Sequence, residues 1–178
     1  MRAQLKEIDN KIQPRIYVAC LAAYNNGHLH GKWIDATQSV EDMQEEINAM
    51  LEASPIPNAE EWAIHDSEWI DLNECDSLQR VNDIAEFIVE HGELGYKLMQ
   101  MNGGNVPYSV EMLEDHYHGA WKSKGHFVYH LVDDCDFLGD CSEIAKRYFD
   151  YDSFERDLFM TDYDDVYLNG QYHIFSNH

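Results

Sequence analysis

Three features of the sequence predict an α+β fold with short antiparallel sheets and helices packed against them. Residues 15–23, RIYVACLAA, form a near-continuous apolar run of strand length, and a turn signal separates them from a second β-rich stretch. Further along, apolar residues recur at intervals of three and four, which is typical of helices. Near the end, Asn169-Gly170 joins two β-rich arms, a pattern that predicts a two-residue hairpin.

The first predicted domain spans residues 15–61. Its opening strand is followed by the turn YNNG and by a return strand over 28–36. Ser39 should then cap a helix that runs to about Glu52, with Asp42 as the capping-box partner. Its buried face is expected to consist of the apolar residues at helical spacing: Val40, Met43, Ile47 and Met50.

The second predicted domain spans residues 62–105. WAIHDSEW reads as a strand, and strict alternation would put Trp62, Ile64 and Asp66 on one side. A helix should begin at Asp76 or Ser77 and stop at Gly92, and a short helix over 93–101 should follow it. The apolar stripe expected to bury the first of these helices comprises Leu78, Val81, Ile84, Ala85 and Ile88.

The third predicted domain spans residues 106–178 and follows NGGN and Pro107, the best candidate linker. Helix signals occur over 109–117, 125–134, 142–148 and 152–160. The terminal hairpin would place Tyr167 opposite Tyr172. Residues 1–14, which end at Pro14, are predicted to be an N-terminal extension.

The net charge of the chain limits the classes of function that it can have. The 178 residues include 34 acids and 12 bases, for a formal net charge of −22, and no Lys or Arg occurs between Trp33 and Gln79. Such a surface repels itself on folding, so its retention favours a partner that supplies positive charge. Nucleic acid and anionic membranes are therefore excluded as direct partners. The 44% hydrophobic and 12% aromatic content argues against a disordered acidic tail.

The candidate functional residues are carboxylates interleaved with apolar residues, above all in the stretch 133–165. Six aromatic side chains of this region are expected to be mainly core, with some at a dimer contact: Phe149, Tyr151, Phe154, Phe159, Tyr163 and Tyr167. The carboxylates predicted to form the acidic interaction surface are Glu41, Asp42, Glu45, Glu46, Glu60, Glu61, Asp133, Asp134, Asp150, Asp152, Glu155, Asp157, Asp162, Asp164 and Asp165.

No catalytic, cofactor-binding or metal-binding residue is predicted. With so many acids, adjacent carboxylates carry no specific signal for glycosidase chemistry. The segment 150–161 resembles a calcium loop only in its first Asp residues, since Glu155 occupies the position that requires glycine. His126 and His130 lie one helical turn apart but lack the glutamate of a zinc-protease motif. The ten histidines, scattered among carboxylates, are expected to have raised pKa values.

The cysteine pattern and hydropathy favour a cytoplasmic protein. The four cysteines include no pair at the two-residue spacing of a zinc or redox motif, so we expect free thiols, with a Cys135–Cys141 disulfide left open. No secretory signal is recognised, and no apolar run approaches the length of a transmembrane helix.

Three stretches together resemble the ArdA-type antirestriction proteins of plasmids and conjugative transposons. They are RIYVACLAAYNNGHLHGKWIDA (15–36), FIVEHGELGYKLM (87–99) and YFDYDSFERDLF (148–159) with the hairpin after it. The resemblance implies an elongated rod of small consecutive domains that forms a homodimer, mimics bent B-form DNA and competitively occupies the DNA-binding groove of type I restriction-modification enzymes. Lys122 and Lys124 interrupt the acidic row that continuous mimicry would require.

Two other interpretations of the charge remain open at this level. The chain would then be an acidic decoy of another DNA-binding protein, such as a nucleoid protein or repressor, or an acidic globular protein adapted to high salt. A salt-adapted protein should unfold in dilute buffer, whereas a mimic should stay folded there.

Overall fold

The computed structural model describes residues 12–177 and confirms the α+β class. The chain divides into two compact units, of which the first extends to Val106 and the second begins at Pro107. Each unit contains a three-stranded antiparallel sheet with helices. The predicted N-terminal extension lies outside the described residues up to position 11.

The sheet of the first unit has the order β2-β1-β3. Its strands are β1 (Arg15–Cys20), β2 (Gly31–Asp35) and β3 (Trp62–Glu68). Between β1 and β2 the chain forms a short helix, α1 (Leu21–Asn25), so the opening strand ends three residues earlier than predicted. The side chain of Cys20 accepts a hydrogen bond from the N–H of Ala23, which starts this helical turn.

A bulge breaks the alternation expected for β3. Tyr17 pairs with Asp66 and Val18 pairs with Ile64, so His65 is the extra residue. As a result Ile64 is buried while Asp66 is exposed, and the predicted shared face of Trp62, Ile64 and Asp66 is wrong. Since β3 pairs with β1, the predicted boundary at residue 61 crosses this sheet; the three-domain division stays a prediction.

Two helices complete the first unit and largely match their predicted bounds. They are α2 (Val40–Glu52), which Ser39 caps as expected, and α3 (Leu78–Met101). Gly92 has φ 63° and ψ −147°, a conformation that only glycine adopts readily, so α3 is two helices joined at a kink. Every residue of both predicted apolar faces is buried except Val40, which is half-buried.

The second unit has the sheet order β4-β6-β5. Its elements are α4 (Val106–Asp115), β4 (Tyr117–Trp121), α5 (Lys124–Tyr129) with a following π-helical turn (His130–Asp134), α6 (Glu143–Arg147), α7 (Tyr151–Thr161), β5 (Tyr163–Leu168) and β6 (Gln171–Ser176). The first predicted helix ends before Tyr117, and the strand β4 was not foreseen. Gly119, at φ 90°, interrupts its short β pattern.

The terminal hairpin is confirmed. Asn169 and Gly170 have φ values of 51° and 81°, the positive values that this turn requires. Tyr167 pairs with Tyr172 across β5 and β6, and their ring centroids lie 4.8 Å apart.

Aromatic side chains dominate the core of the second unit. Val128, Val132 and Leu158 are buried together, and five of the six expected core rings pack against them: Phe149, Tyr151, Phe154, Phe159 and Tyr163. Tyr167 is the exception, with 60% of its surface exposed. All four cysteines are free thiols, so Cys135 and Cys141 are not joined. Among the described residues, no helix has the length and apolar character needed to cross a bilayer.

Candidate functional site: the acidic surface

The carboxylates predicted to form the interaction surface all remain in contact with solvent. Eleven of the fifteen are exposed and none is buried. The four that are half-buried are Glu46, Glu155, Asp162 and Asp165. Exposure alone is ordinary for charged side chains, so the informative question is which of these charges the chain itself neutralises.

The outer face of α2 carries charge without a counterion. Glu41 and Glu45 are exposed one turn apart, and neither has an ion pair within residues 12–177. Such a like-charge pair costs about 0.2–0.5 kcal/mol in a helix. The Asp42 carboxylate accepts one hydrogen bond, from the hydroxyl of the N-cap Ser39, but it stays exposed. The face is therefore anionic at a small cost in stability.

Glu46 differs from its neighbours on α2. It forms an ion pair with Lys32 of β2 and accepts a hydrogen bond from Gln38 Nε2 at 3.0 Å. The hydrogen bond with Lys32 lowers the pKa of Glu46, and that with Gln38 adds to the effect. This carboxylate therefore joins the helix to the sheet, and its charge is balanced inside the unit.

In the second unit several carboxylates also have local structural partners. Asp150 is the N-cap of α7, and the hydrogen bonds from the backbone and hydroxyl of Ser153 lower its pKa. Asp133 accepts a hydrogen bond from the Tyr151 hydroxyl at 3.0 Å. These contacts fix the carboxylates in place while leaving both exposed.

Lys124, which interrupts the acidic row in the sequence, is directed toward the unit's own residues. It forms an ion pair with Asp165, and its Nζ lies 4.5 Å from the centroid of the Phe159 ring. Lys122 is exposed and makes no ion pair within the described part of the chain. Lys124 is thus neutralised within the unit, whereas Lys122 faces solvent.

A row of acids on α3 was not among the predicted carboxylates. Asp83, Glu86 and Glu90 are all exposed, opposite the buried stripe of that helix. Their spacing of three and four residues, read against the apolar stripe, would have identified them. The axial separations are about 4.5 and 6 Å, since a helix rises about 1.5 Å per residue. Duplex DNA carries one charge per about 1.7 Å, so several such rows are needed to approach its density.

Within residues 12–177, seven of the predicted carboxylates have neither an ion pair nor a hydrogen bond: Glu41, Glu45, Glu60, Glu61, Asp152, Glu155 and Asp164. No group of three or more His, Cys, Asp or Glu side chains in the same residues could hold a metal ion. Both units therefore present negative charges that the chain does not neutralise, which suits binding to a basic surface.

Two histidines do not follow the expectation of raised pKa values. Burial lowers the pKa of His118, with a further contribution from His116, and burial lowers the pKa of His173. The expectation was wrong for both, because partial burial penalises the charged form of the imidazole.

Comparison with curated protein sequences gives no match. The family model described as antirestriction protein (ArdA) matches residues 16–172. That range includes all the predicted acidic residues, the row on α3 and every strand except the first residue of β1 and most of β6. Because the match covers most of the chain, the protein belongs to the ArdA antirestriction family.

Proposed function

We propose that this chain mimics B-form DNA and inhibits type I restriction-modification enzymes by occupying their DNA-binding groove. Family membership supports an antirestriction role. The proposal of DNA mimicry rests on the solvent-accessible carboxylates without internal counterions, which occur in both units. Such charges are complementary to the Lys and Arg side chains that a DNA groove presents to phosphates.

The inhibition would rest on the same electrostatic term that DNA uses. Cations bound near the acidic surface, and anions bound near the groove, are released when the two surfaces meet. Binding should therefore be fast and should weaken as salt rises. Carboxylates offer the enzyme no base edge to read and no phosphodiester to cleave. The chain would act by binding, without catalysis of its own, in the cytoplasm where the enzyme acts.

A homodimer would supply enough charge for a long groove. Two chains carry a net charge of −44, twice −22. At one charge per about 1.7 Å, this equals roughly 75 Å of duplex. We propose that the dimer displays this charge along an extended rod, and small-angle X-ray scattering tests that shape.

A cleavage-protection assay with a purified type I enzyme tests the proposal. We expect inhibition that added non-specific duplex DNA relieves competitively and that declines between 50 and 300 mM NaCl. Replacing unpaired acids in Glu41→Gln/Glu45→Gln should weaken inhibition by about tenfold, since two groove contacts are lost.

The matched control removes two acids that the first unit already neutralises. Glu68→Gln/Asp76→Asn lowers the charge equally, but these residues pair with Arg15 and Arg80. Its inhibition should change less than twofold. Inhibition that saturating DNA cannot relieve, or that salt does not affect, would refute the mimicry. If the chain binds a nucleoid protein but does not inhibit the type I enzyme, the decoy interpretation is favoured.

A further inference from the structure

A cleft in the second unit combines aromatic ring faces with carboxylates. Its volume is about 520 Å³. It is lined by Trp121 at the end of β4, Tyr129 of α5, and His130, Asp133 and Asp134 of the π-helical turn, together with Lys122. A cleft of this size admits a long side chain from another molecule.

The two large rings are held in place by contacts outside the cleft. Tyr129 stacks on Tyr151 at a centroid distance of 4.4 Å. Trp121 donates a hydrogen bond from Nε1 to the carbonyl of His118 at 2.8 Å and contacts Phe127 edge-on. Side chains fixed in this way lose little conformational freedom when a ligand binds.

The two carboxylates are positioned as well. Asp133 accepts a hydrogen bond from the Tyr151 hydroxyl, and Asp134 Oδ2 lies 2.9 Å from His130 Nδ1. Tyr151 therefore supports both a ring and a carboxylate of the cleft. The π-helical turn brings these acids onto the same short segment as His130, and such turns occur often at functional sites.

Rings together with a carboxylate are what this chain uses to hold its own cations. Arg15 lies 5.4 Å from the ring of Trp33 and pairs with Glu68. Lys124 lies over Phe159 and pairs with Asp165.

In the cleft, by contrast, no cation of residues 12–177 lies over Trp121 or Tyr129. The cleft is thus a third place where rings and carboxylates meet, but here no Lys or Arg covers a ring, and the His130 ring lies 5.0 Å from that of Trp121. Guanidinium groups stack on aromatic faces and bind carboxylates with two parallel hydrogen bonds, so arginine fits it best.

We propose that this cleft is a socket for an arginine side chain from the basic surface of the partner protein. The inference rests on the proposed function, because it assigns one specific anchor within the otherwise distributed acidic surface. Asp133 and Asp134 would pair with the guanidinium while Tyr129 or Trp121 covers its face. Lys122, on the same cleft, would oppose binding.

Nuclear magnetic resonance on the full chain tests the socket directly, with N-acetyl-arginine amide as the probe. Four indole N–H signals are expected, and Trp121→Phe identifies that of Trp121. We expect the probe to shift this signal and not those of Trp33, Trp62 and Trp69, with an equal concentration of NaCl as the control. Equal shifts of all four signals would overturn the proposal.

Variants of the lining separate a socket from a general charge effect. Tyr129→Leu should weaken probe binding by about two- to fivefold, the loss expected for one cation–π contact. Asp133→Asn, which can still accept from Tyr151, should weaken it similarly, and Lys122→Gln should strengthen it. Tyr167→Leu, at an exposed ring of the same unit, is the matched control and should have no effect.

The same variants in the cleavage-protection assay distinguish this inference from the proposed function. If the wild type inhibits and Tyr129→Leu inhibits equally, the socket is wrong and the mimicry stands. If the wild type fails to inhibit but the probe shifts Trp121, the socket stands and its partner is another basic protein.

Discussion

The two units carry similar excess charge on very different cores. From residue 12 to Val106 there are seventeen acids and four bases, and from Pro107 to residue 177 there are fifteen and five. Yet within residues 12–177, twenty-one of the buried hydrophobic residues belong to the first unit and eight to the second. Self-repulsion of similar size is therefore opposed by unequal amounts of apolar burial.

The second unit compensates with aromatic contacts and one internal cation. Phe127 contacts Trp121, Phe159 and Tyr163 at centroid distances between 5.0 and 6.2 Å. Lys124 ties α5 to β5 through Asp165. An anionic surface can therefore be supported either by an aliphatic core or by fewer, larger rings with a half-buried ion pair. The second solution concentrates stability in fewer residues.

Core truncation should give the largest effect. Phe127→Ala should destabilise the second unit by about 3–5 kcal/mol, because it removes a fully buried ring with several ring partners. Ile88→Ala is the counterpart in the first unit, at about 2–5 kcal/mol. Amide hydrogen exchange on the full chain, read by mass spectrometry, should show faster exchange after Pro107 only for Phe127→Ala. Equal acceleration in both units would mean that they unfold together and do not depend on separate cores.

Removal of the internal cation should have a smaller effect. Lys124→Met leaves the half-buried Asp165 without its counterion, which should cost about 1–3 kcal/mol in urea unfolding. The control is Arg156→Met, since the Arg156–Asp157 pair is largely exposed and should contribute less than about 0.5 kcal/mol. Lys124→Met/Asp165→Asn should recover part of the loss. A Lys124→Met protein as stable as the control would show that the rings alone support the unit.

Acidification should give the smallest difference in stability between the two units. Burial lowers the pKa values of His118 and His173 in the folded state. The unfolded chain then binds protons more readily, so stability is complete above about pH 6.5 and declines as the pH falls below it. Thermal unfolding followed between pH 8 and 5.5 should show this decline, and His173→Gln should reduce it. An unchanged pH profile in His173→Gln would contradict the assignment.

The first unit should respond to acid at a lower pH. Burial raises the pKa of Asp35, but hydrogen bonds from the backbone and hydroxyl of Thr37 and from Gln13 outweigh it, so the net shift is downward. Its stabilising contribution is therefore present above about pH 3.9 and is lost as the pH falls through the lowered pKa.

Local patterns predicted much of the fold. Periodicity identified the buried faces of α2 and α3, capping chemistry placed Ser39 at its helix start, and Asn169-Gly170 located the hairpin. The errors lie where a distant partner decides the outcome. Strand β4 exists because β6 supplies its hydrogen bonds, and β3 loses its alternation because its bulge pairs with β1.

The candidate site, like the fold, could be predicted only in part from local sequence patterns. All the predicted carboxylates reach solvent, which follows from the cost of burying charge. The sequence could not distinguish Glu46 from Glu45, because Lys32 approaches Glu46 only when β2 packs beside α2. The α3 acids were accessible to periodicity and were overlooked. The cleft around Tyr129 joins residues from a strand, a helix and a π-helical turn, so no local pattern could predict it.

By itself the sequence determined the α+β class, the excess of negative charge and the family, since these depend on composition, local periodicity and matched residues along the chain. Which charges remain without a counterion depended on tertiary packing. Lys124 reaches Asp165 and Arg15 reaches Glu68 across long stretches of chain. Ion pairing falls off steeply with distance in water, so these pairings depend on how strands and helices pack and not on spacing in the sequence.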